Sequence, residues 1–373
     1  MNDFLQQALQ KRISEGSFRK LSIRKNLIDF CSNDYLGLSR SASLRPFLQP
    51  NTPPLSQRNG STGSRLISGN SEEAENLETF LADFHQAEAA LLFNSGYDAN
   101  LGLFSSLPGR NDTVIYDENI HASVKDGIRL SPAQKVAFRH NDTVHLEEKL
   151  KSAKGNVFVA IEAVYSMDGD QAPMREIADM CQKYTAHLIV DEAHSNGIFG
   201  IDGKGLTIEA GIKEKTFAVV YTFGKALGCH GAAVCGSQLL KDFLINFARS
   251  FIYTTAMPLH SIQNIYSAYT YLPFAIKERE KLFHNIGIFK KSIFNQIPIQ
   301  NTSQTPIQFV SCHGNQEALK LSKKLQEAGF DVRPILSPTV PLGKERIRIC
   351  LHAFNEEEQI QSMIEEIIKF RNE

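Results

Sequence analysis

The 373-residue sequence has no excess of charge of one sign, no long apolar run and no closely spaced cysteine pair. Its 40 Lys and Arg residues are balanced by 41 Asp and Glu residues, which leaves a formal net charge of −1 at pH 7. A protein that binds nucleic acid by neutralising many phosphates needs a broad basic surface, so this balance argues against that class but not against a local anion pocket. Hydrophobic residues make up 42% of the chain, which is too large a share for a disordered protein.

The cysteines and the N-terminus point to a reducing compartment. The six cysteines form no C-x-x-C motif, so neither a zinc ribbon nor a redox dithiol is indicated. Unpaired cysteines in a chain of this length favour the cytosol. The N-terminus lacks the apolar core of a signal peptide, and the sequence has no uncharged apolar stretch of about 18 residues, the length of a transmembrane helix. We therefore expect a cytoplasmic protein without a membrane span.

Short apolar runs alternate with helical stretches through the middle of the chain. Five runs predict strands, at 89–93, 113–116, 157–161, 187–190 and 216–221. Their spacing leaves room for helical crossovers, which predicts an α/β fold with a mostly parallel sheet and helices on both faces. Helical periodicity is found at 3–15, 71–84, 239–250 and 258–295. Beyond residue 300, predicted strands at 307–311, 330–333 and 346–351 and helices at 315–328 and 356–371 indicate a smaller α/β unit.

Polar or glycine residues follow each of the five predicted strands. In open α/β sheets, ligands bind beyond the carboxyl ends of the strands, so we expect these residues to share one crevice. The segments are 94–100 (NSGYDAN), 117–123 (DENIHAS), 162–170 (EAVYSMDGD), 191–194 (DEAH) and 222–225 (TFGK). The first is a small-residue turn before a helix, where backbone N–H groups suit a phosphate. Each segment alone is typical of a turn, a helix cap or a surface charge, and their coincidence favours a common site.

Other interpretations of the motifs require residues that the sequence does not contain. The DEAH tetrapeptide also occurs in helicases, but the sequence has no G-x-x-x-x-G-K-[ST] loop. No G-x-G-x-x-G motif follows the first strand, as a dinucleotide-binding fold requires. H-E-x-x-H and G-x-S-x-G are absent too, so neither a zinc peptidase nor an elbow-type serine hydrolase is indicated, and we predict no metal site.

The remaining residues suit pyridoxal phosphate chemistry. A lysine amine forms a Schiff base with the aldehyde of this cofactor, and a carboxylate at the pyridine nitrogen keeps that nitrogen protonated. Asp191 and Lys225 lie 34 residues apart at the ends of successive predicted strands. Adjacent strands are about 5 Å apart, so both side chains could reach one cofactor ring.

Six motifs, in order along nearly the whole chain, resemble those of the α-oxoamine synthases, which are pyridoxal phosphate enzymes of fold type I. They are SNDYLGL (32–38), GSTGSR (60–65), YSMDGD (165–170), DEAH (191–194), TFGKALG (222–228) and FIYTTAMP (251–258). The resemblance implies an aspartate aminotransferase-like fold. It also implies an N-terminal arm at 1–40, a large pyridoxal phosphate-binding domain at 41–272 and a small C-terminal α/β domain at 273–373.

The resemblance implies roles for the residues that match its motifs. Lys225 would be the Schiff-base lysine and proton shuttle, Asp191 would pair with the pyridinium nitrogen, and His121 would stack on the ring. The remaining cofactor-binding residues are expected at the phenolic oxygen and the phosphate, and they are His194, Ser166, Gly96, Tyr97, Thr222 and, from the partner subunit of a dimer, Thr254 or Thr255. The expected substrate-binding residues are Arg348, Arg19 and Asn33, with Arg346 as a neighbour that could replace Arg348.

The implied activity is the decarboxylative condensation of an amino acid with an acyl thioester, in a homodimer with shared active sites. The SMDGD and FIYTTAMP forms are most similar to the member that uses L-alanine and pimeloyl-CoA, or pimeloyl-carrier protein, in biotin synthesis. Glycine C-acetyltransferase and serine palmitoyltransferase are alternatives, and a non-catalytic regulatory subunit is a remote one. The sequence departs from the family pattern at two places: Ser195-Asn196 replace an expected Ala-Thr or Gly-Thr, and Cys229-His230 replace a Ser followed by Phe or another non-imidazole residue. His230 either lines the acyl channel or is a tolerated loop change.

Overall fold

The structure is a computed structural model that describes residues 3–21, 23, 26–42, 44, 59–294 and 303–372. Its strands, in chain order, are β1 (Ile28–Asp29), β2 (Ala89–Phe93), β3 (Thr113–Asp117), β4 (Gln134–Phe138), β5 (Val157–Glu162), β6 (His187–Asp191), β7 (Ala218–Thr222), β8 (Ala232–Gly236), β9 (Ile307–Ser311), β10 (Phe330–Asp331), β11 (Arg333–Ile335) and β12 (Arg346–Cys350).

The described residues also form thirteen α-helices. In order they are α1 (Asp3–Ser14), α2 (Glu72–Phe84), α3 (Gly96–Ser106), α4 (Ala122–Leu130), α5 (Thr143–Ser152), α6 (Met174–Lys183), α7 (Leu206–Glu209), α8 (Gln238–Phe247), α9 (Arg249–Ile252), α10 (Leu259–Tyr271), α11 (Ile276–Phe294), α12 (Asn315–Glu327) and α13 (Glu357–Asn372). The end of the predicted helix 258–295 lies outside the described residues. None of the described helices has the length and apolar content that a bilayer crossing requires.

Seven strands form one sheet in the order β2-β8-β7-β6-β5-β3-β4. β8 is antiparallel to β2 and β7, and the other pairs are parallel. The predicted mostly parallel sheet is therefore confirmed. The carboxyl ends of β2, β3, β5, β6 and β7 consequently lie at the same edge, where ligands of such sheets bind.

Helices cover both faces of this sheet because its central strands are apolar on both sides. Every residue of β2, β5 and β7 is buried. On one face, Leu103 and Phe104 of α3 and Val124 and Ile128 of α4 join a continuous buried cluster with the strands. Burial on both faces holds the strand ends rigidly, which is what a site built from several strands needs.

The chain divides into two compact units, and the unit with this sheet comprises residues 36–166 and 170–279. The second unit comprises residues 1–35, 167–169 and 280–373. It contains the antiparallel sheet β11-β12-β9 and a short parallel pair in which Ile28 of β1 lies opposite Phe330 of β10. The resemblance divides the chain instead into an N-terminal arm (1–40), a large domain (41–272) and a small domain (273–373). That division stays a prediction.

Candidate active site

Three neighbouring strands end in polar residues that the sheet register brings side by side. Glu162, the last residue of β5, lies directly opposite Asp191, the last residue of β6. Asp191 in turn lies opposite Val220, two residues before the end of β7 at Thr222. The strands before Asp191 and Lys225 are therefore adjacent and parallel.

Asp191 is a buried carboxylate that accepts two hydrogen bonds. Only 6% of the residue is exposed. Asn100 donates its side-chain N–H to Asp191 Oδ2 at 2.7 Å, and the Ala193 N–H donates to Oδ1 at 2.9 Å. Asp191 makes no ion pair with any described residue. A buried negative charge requires compensation, so the protonated ring nitrogen of pyridoxal phosphate fits this carboxylate.

His121 is held at the start of helix α4 by three hydrogen bonds. Its Nδ1 accepts the Ser123 N–H at 3.2 Å and lies 2.7 Å from Ser123 Oγ, while its own backbone N–H donates to Glu162 Oε1 at 2.6 Å. Although His121 is exposed, the surrounding protein removes part of the water around its ring, and this desolvation lowers the pKa of His121. The negative charge of Asp191 opposes the shift, and the positive charge of Lys225 adds to it. The ring is thus fixed and neutral at pH 7, which suits stacking on a cofactor.

Glu162 is an unusual carboxyl group because it lies beside Asp191 and is buried. Burial, followed by the negative charge of Asp191, raises the pKa of Glu162 to about 8, although Lys225 opposes this shift. Lys225 therefore acts electrostatically on both His121 and Glu162. These interactions place Lys225, Asp191 and His121, the three predicted catalytic residues, in one electrostatic cluster.

A close approach between α3 and β7 forms a cradle suited to phosphate. Ser95 caps α3 by accepting the Asp98 N–H at 3.0 Å. An added Cβ at Gly96 would lie 2.5 Å from Thr222 Cγ2, so the helix start touches the end of β7 only because residue 96 is glycine. Exposed backbone N–H groups and the helix dipole attract anions, and the Thr222 hydroxyl adds a donor. The cradle therefore fits the phosphate of the cofactor.

The other predicted cofactor residues lie in the same unit of the chain. His194 is buried and Ser166 is half-buried. The Tyr97 hydroxyl donates to Asp126 Oδ2, so its side chain is tied to α4. Asn94 donates to Thr254 Oγ1 at 3.0 Å and to the Thr255 carbonyl at 2.8 Å.

The predicted substrate residues lie in the second unit, and there the two neighbouring arginines differ. Arg348 is half-buried, and its Nη2 donates to Asn33 Oδ1 at 3.0 Å. Arg346 is buried and ion-paired with Asp168, so it has a structural partner of its own. Arg19 is exposed and donates to Thr339 Oγ1 at 3.4 Å.

Sequence reasoning assigned no role to Asn100 or Glu162, which contact the predicted catalytic residues. Asn100 is buried in α3, four residues after Gly96 and therefore one helical turn along the same face. The feature that could have identified Asn100 is its polar amide on a buried helix face, because a buried polar group needs a hydrogen-bond partner. Its Oδ1 has no hydrogen-bond partner among the described residues.

Comparisons with known proteins show the family of the chain. The model of the family "Aminotransferase class I and II" matches residues 25–367. An 8-amino-7-oxononanoate synthase of Emericella nidulans is 42% identical and aligns with 98% of this chain and 95% of its own. One of Lysinibacillus sphaericus is 35% identical and aligns with 100% of this chain and 99% of its own.

Two solved structures extend the comparison. A lysine-to-alanine variant of a serine palmitoyltransferase from S. paucimobilis, with a bound PLP–myriocin aldimine, has a TM-score of 0.90 at 26% identity, covering 100% of this chain and 97% of its own. An 8-amino-7-oxononanoate synthase from Francisella tularensis has a TM-score of 0.80 at 30% identity, covering 94% and 99%.

The chain therefore belongs to the class I and II aminotransferase family and has the fold type I architecture of pyridoxal phosphate enzymes. Within that family, its relatives place it among the α-oxoamine synthases. It is a pyridoxal phosphate-dependent acyltransferase, as its motifs predicted.

Proposed function

We propose that the enzyme condenses L-alanine with pimeloyl-CoA, or with pimeloyl-carrier protein, to give 8-amino-7-oxononanoate, CO₂ and the free thiol of the acyl carrier. The observation that carries this proposal is the nearly full-length identity to the Emericella nidulans 8-amino-7-oxononanoate synthase. The serine palmitoyltransferases superpose better but are less identical in sequence. Because one fold serves several acyl groups in this family, sequence identity is the better guide to the substrate.

Lys225, Asp191 and His121 supply the protein's part of the chemistry at the α-carbon. When bound, pyridoxal phosphate withdraws electrons from the amino-acid Cα. Asp191 stabilises the positive charge of the ring nitrogen, which maintains that withdrawal. Lys225 Nζ then takes the proton from Cα and later returns one, and neutral His121 covers the face of the ring.

The alanine carboxylate is assigned to Arg348. Its guanidinium is oriented by Asn33 Oδ1, which also accepts a hydrogen bond from the Tyr35 hydroxyl at 3.0 Å. A planar guanidinium matches the two oxygens of a carboxylate. Arg346, bound to Asp168, is not available in the same way. Arg19 and Asn33 are proposed to contact the substrate as well.

The remaining proposed assignments concern the phosphate and the phenolic oxygen of the cofactor. The Gly96 and Tyr97 backbone N–H groups and the Thr222 hydroxyl are proposed to bind the phosphate. His194 and Ser166 are proposed to lie at the phenolic oxygen of the cofactor.

The enzyme is further proposed to be a cytoplasmic homodimer. Thr254 and Thr255 match the family segment that completes the phosphate site of the partner subunit. All six cysteines lie among the described residues and none of them forms a disulfide, which supports a reducing compartment.

A substrate panel tests the proposed reaction. Purified enzyme with bound cofactor is mixed with L-alanine and pimeloyl-CoA, L-alanine and pimeloyl-carrier protein, glycine and acetyl-CoA, or L-serine and palmitoyl-CoA, and thiol release is measured. One of the two pimeloyl mixtures should give the highest kcat/KM, and Lys225→Ala should abolish the reaction. Faster release from either non-pimeloyl mixture would overturn the assignment in favour of a sister activity.

A further inference from the structure

His140, which lies between β4 and α5, is held between two carboxylates. Its Nδ1 lies 2.9 Å from Asp117 Oδ1, and its Nε2 lies 2.7 Å from Asp170 Oδ2. Asp117 is the fully buried last residue of β3, and Asp170 is the last residue of the SMDGD motif. The proposed reaction gives none of these three residues a role.

The histidine must donate from both ring nitrogens to satisfy both carboxylates. A neutral imidazole carries one N–H and could donate to only one of them. The two carboxylates raise the pKa of His140 to about 10, in spite of the opposing effect of burial. The other groups that face it are the Tyr165 ring, edge-on at 4.4 Å, and Glu118, whose Oε1 accepts the His140 backbone N–H at 3.2 Å.

The bond to Asp170 fixes the base of a short hairpin formed by residues 163–166 and 170–172. Val164 and Gln171 form an antiparallel bridge, and the Tyr165 N–H donates to the Asp170 carbonyl at 2.9 Å. Asn141 strengthens the attachment, because its side-chain N–H groups donate to Asp170 Oδ2 at 2.7 Å and to the Gln171 carbonyl at 3.2 Å.

A second bond network ties this clamp to the large sheet. The Asn141 backbone N–H donates to Asp117 Oδ2 at 2.9 Å. Asp117 therefore holds His140 and Asn141 together, and both of them hold Asp170. Ser166 follows Tyr165 directly, so its place depends on a hairpin whose return strand is fixed by this clamp.

We infer that His140 is a positioning residue: by bridging Asp117 and Asp170 it fixes the hairpin base and so places Ser166 against the cofactor. This inference rests on the proposed role of Ser166 but not on the identity of the acyl substrate. A charged imidazole with a hydrogen bond from each ring nitrogen holds its partners more firmly than a neutral one, because charge-assisted hydrogen bonds are roughly twice as strong as neutral ones.

The test compares His140→Gln, Ser166→Ala and the double variant as holoenzymes without substrate. Glutamine keeps a donor toward one carboxylate only. His140→Gln should raise hydrogen exchange at the Tyr165 and Ala172 amides by about tenfold and shift the visible absorption band of the cofactor. Ser166→Ala should shift the band in the same direction without raising exchange, and the double variant should shift it no further. His187→Gln, at the amino end of β6 and therefore away from the strand ends that form the site, is the matched control and should leave both signals unchanged.

Each outcome decides the inference. Unchanged exchange and spectrum in His140→Gln, no spectral shift in Ser166→Ala, or additive shifts in the double variant would overturn it. If His140→Gln does not fold, Asp170→Asn replaces it with the same expected signals. Because these readouts require no acyl substrate, they stay valid if the substrate panel rejects pimeloyl-CoA.

Discussion

At the scale of single residues, Asp191 and its two hydrogen-bond donors decide how charge is placed in the site. The carboxylate is held by Asn100 and the Ala193 N–H, so its orientation does not depend on the cofactor. A fixed charge in a dry site needs no reorganisation when opposite charge develops, and this makes it worth more than the same charge in water.

The charge of Asp191 can be removed without removing its shape. In Asp191→Asn we expect kcat/KM for L-alanine to fall by about 10²–10³-fold, because the ring nitrogen loses its counter-charge. Cofactor affinity, measured by fluorescence titration, should fall less. Asp179→Asn, which removes an exposed carboxylate paired with Lys215, is the control and should keep full activity. Full activity in Asp191→Asn would contradict its role.

Glu162 predicts a pH-dependent stability of the cofactor-free protein. Its pKa of about 8 in the folded state exceeds the ordinary value of 4.5, so the folded state holds this proton more tightly than the unfolded state. Stability from this group is therefore lost as pH rises from 4.5 to about 8 and is constant above that range.

Glu162→Gln keeps an acceptor for the His121 N–H but does not titrate. The melting temperature of the variant minus that of the wild type should therefore increase between pH 5 and pH 8, by about 2–4 °C or more, and level off above pH 8. Glu176→Gln, an exposed substitution in α6, should show no such trend. A difference independent of pH would mean that the carboxyl ionises normally.

The strand-end rule located Asp191 and Thr222 from sequence because each follows an apolar run that could only be a buried strand. The same rule placed Asn100 and Glu162 at strand ends but gave them no role, since their roles depend on neighbours far away in the chain. Asn100 donates a hydrogen bond to Asp191, which lies 91 residues further along the chain, and Glu162 lies opposite Asp191 because β5 pairs with β6. No local pattern carries that information.

At the scale of elements, two strands of the large sheet were not predicted. β4 (QKVAF) is an edge strand with three exposed residues, so it lacks the apolar run of a buried strand. β8 (AAVCG) is fully buried but consists mainly of small residues with weak strand propensity. Tertiary burial between β2 and β7 decides its conformation, and the sequence alone does not express that.

The contact between the start of α3 and the end of β7 gives a prediction for the cradle. In Gly96→Ala, the added methyl group would overlap Thr222 Cγ2, so helix and strand must separate. The dissociation constant of pyridoxal phosphate should rise at least about tenfold, equivalent to 1.4 kcal/mol, with a smaller change in melting temperature of the cofactor-free protein. Gly287→Ala in α11, where an added Cβ meets nothing within 4 Å, is the control and should bind the cofactor normally. Normal affinity in Gly96→Ala would argue against a phosphate at this cradle.

At the scale of the whole molecule, the proposed shared active sites predict complementation between two defective chains. One chain carries Lys225→Ala and the other Thr254→Val with Thr255→Val. If the threonines serve the partner subunit, a mixed dimer contains one site with Lys225 and both threonines intact. Its kcat should be about half that of the wild type, whereas each parent dimer should be strongly impaired.

The control for complementation is a dimer in which one chain carries all three substitutions and the other is wild type. There, each site lacks either Lys225 or the threonines, so activity should be low. The reverse result, with about half of the wild-type activity in the control dimer and low activity in the complementing dimer, both measured after tandem affinity purification, would show that the threonines serve their own chain.

The second unit contains residues from both ends of the chain, so β1 can pair with β10 only late in synthesis. Ile28 of β1 pairs with Phe330, which the ribosome adds 302 residues later. At roughly 5–20 residues per second, that interval is about 15–60 s. The strands of the large sheet, in contrast, have all been synthesised once Gly236 is added. A nascent chain can therefore assemble the strands that carry Asp191 and Thr222 before Arg348 has been translated. β1 must stay unpaired at least until Phe330 and Asp331 have been added.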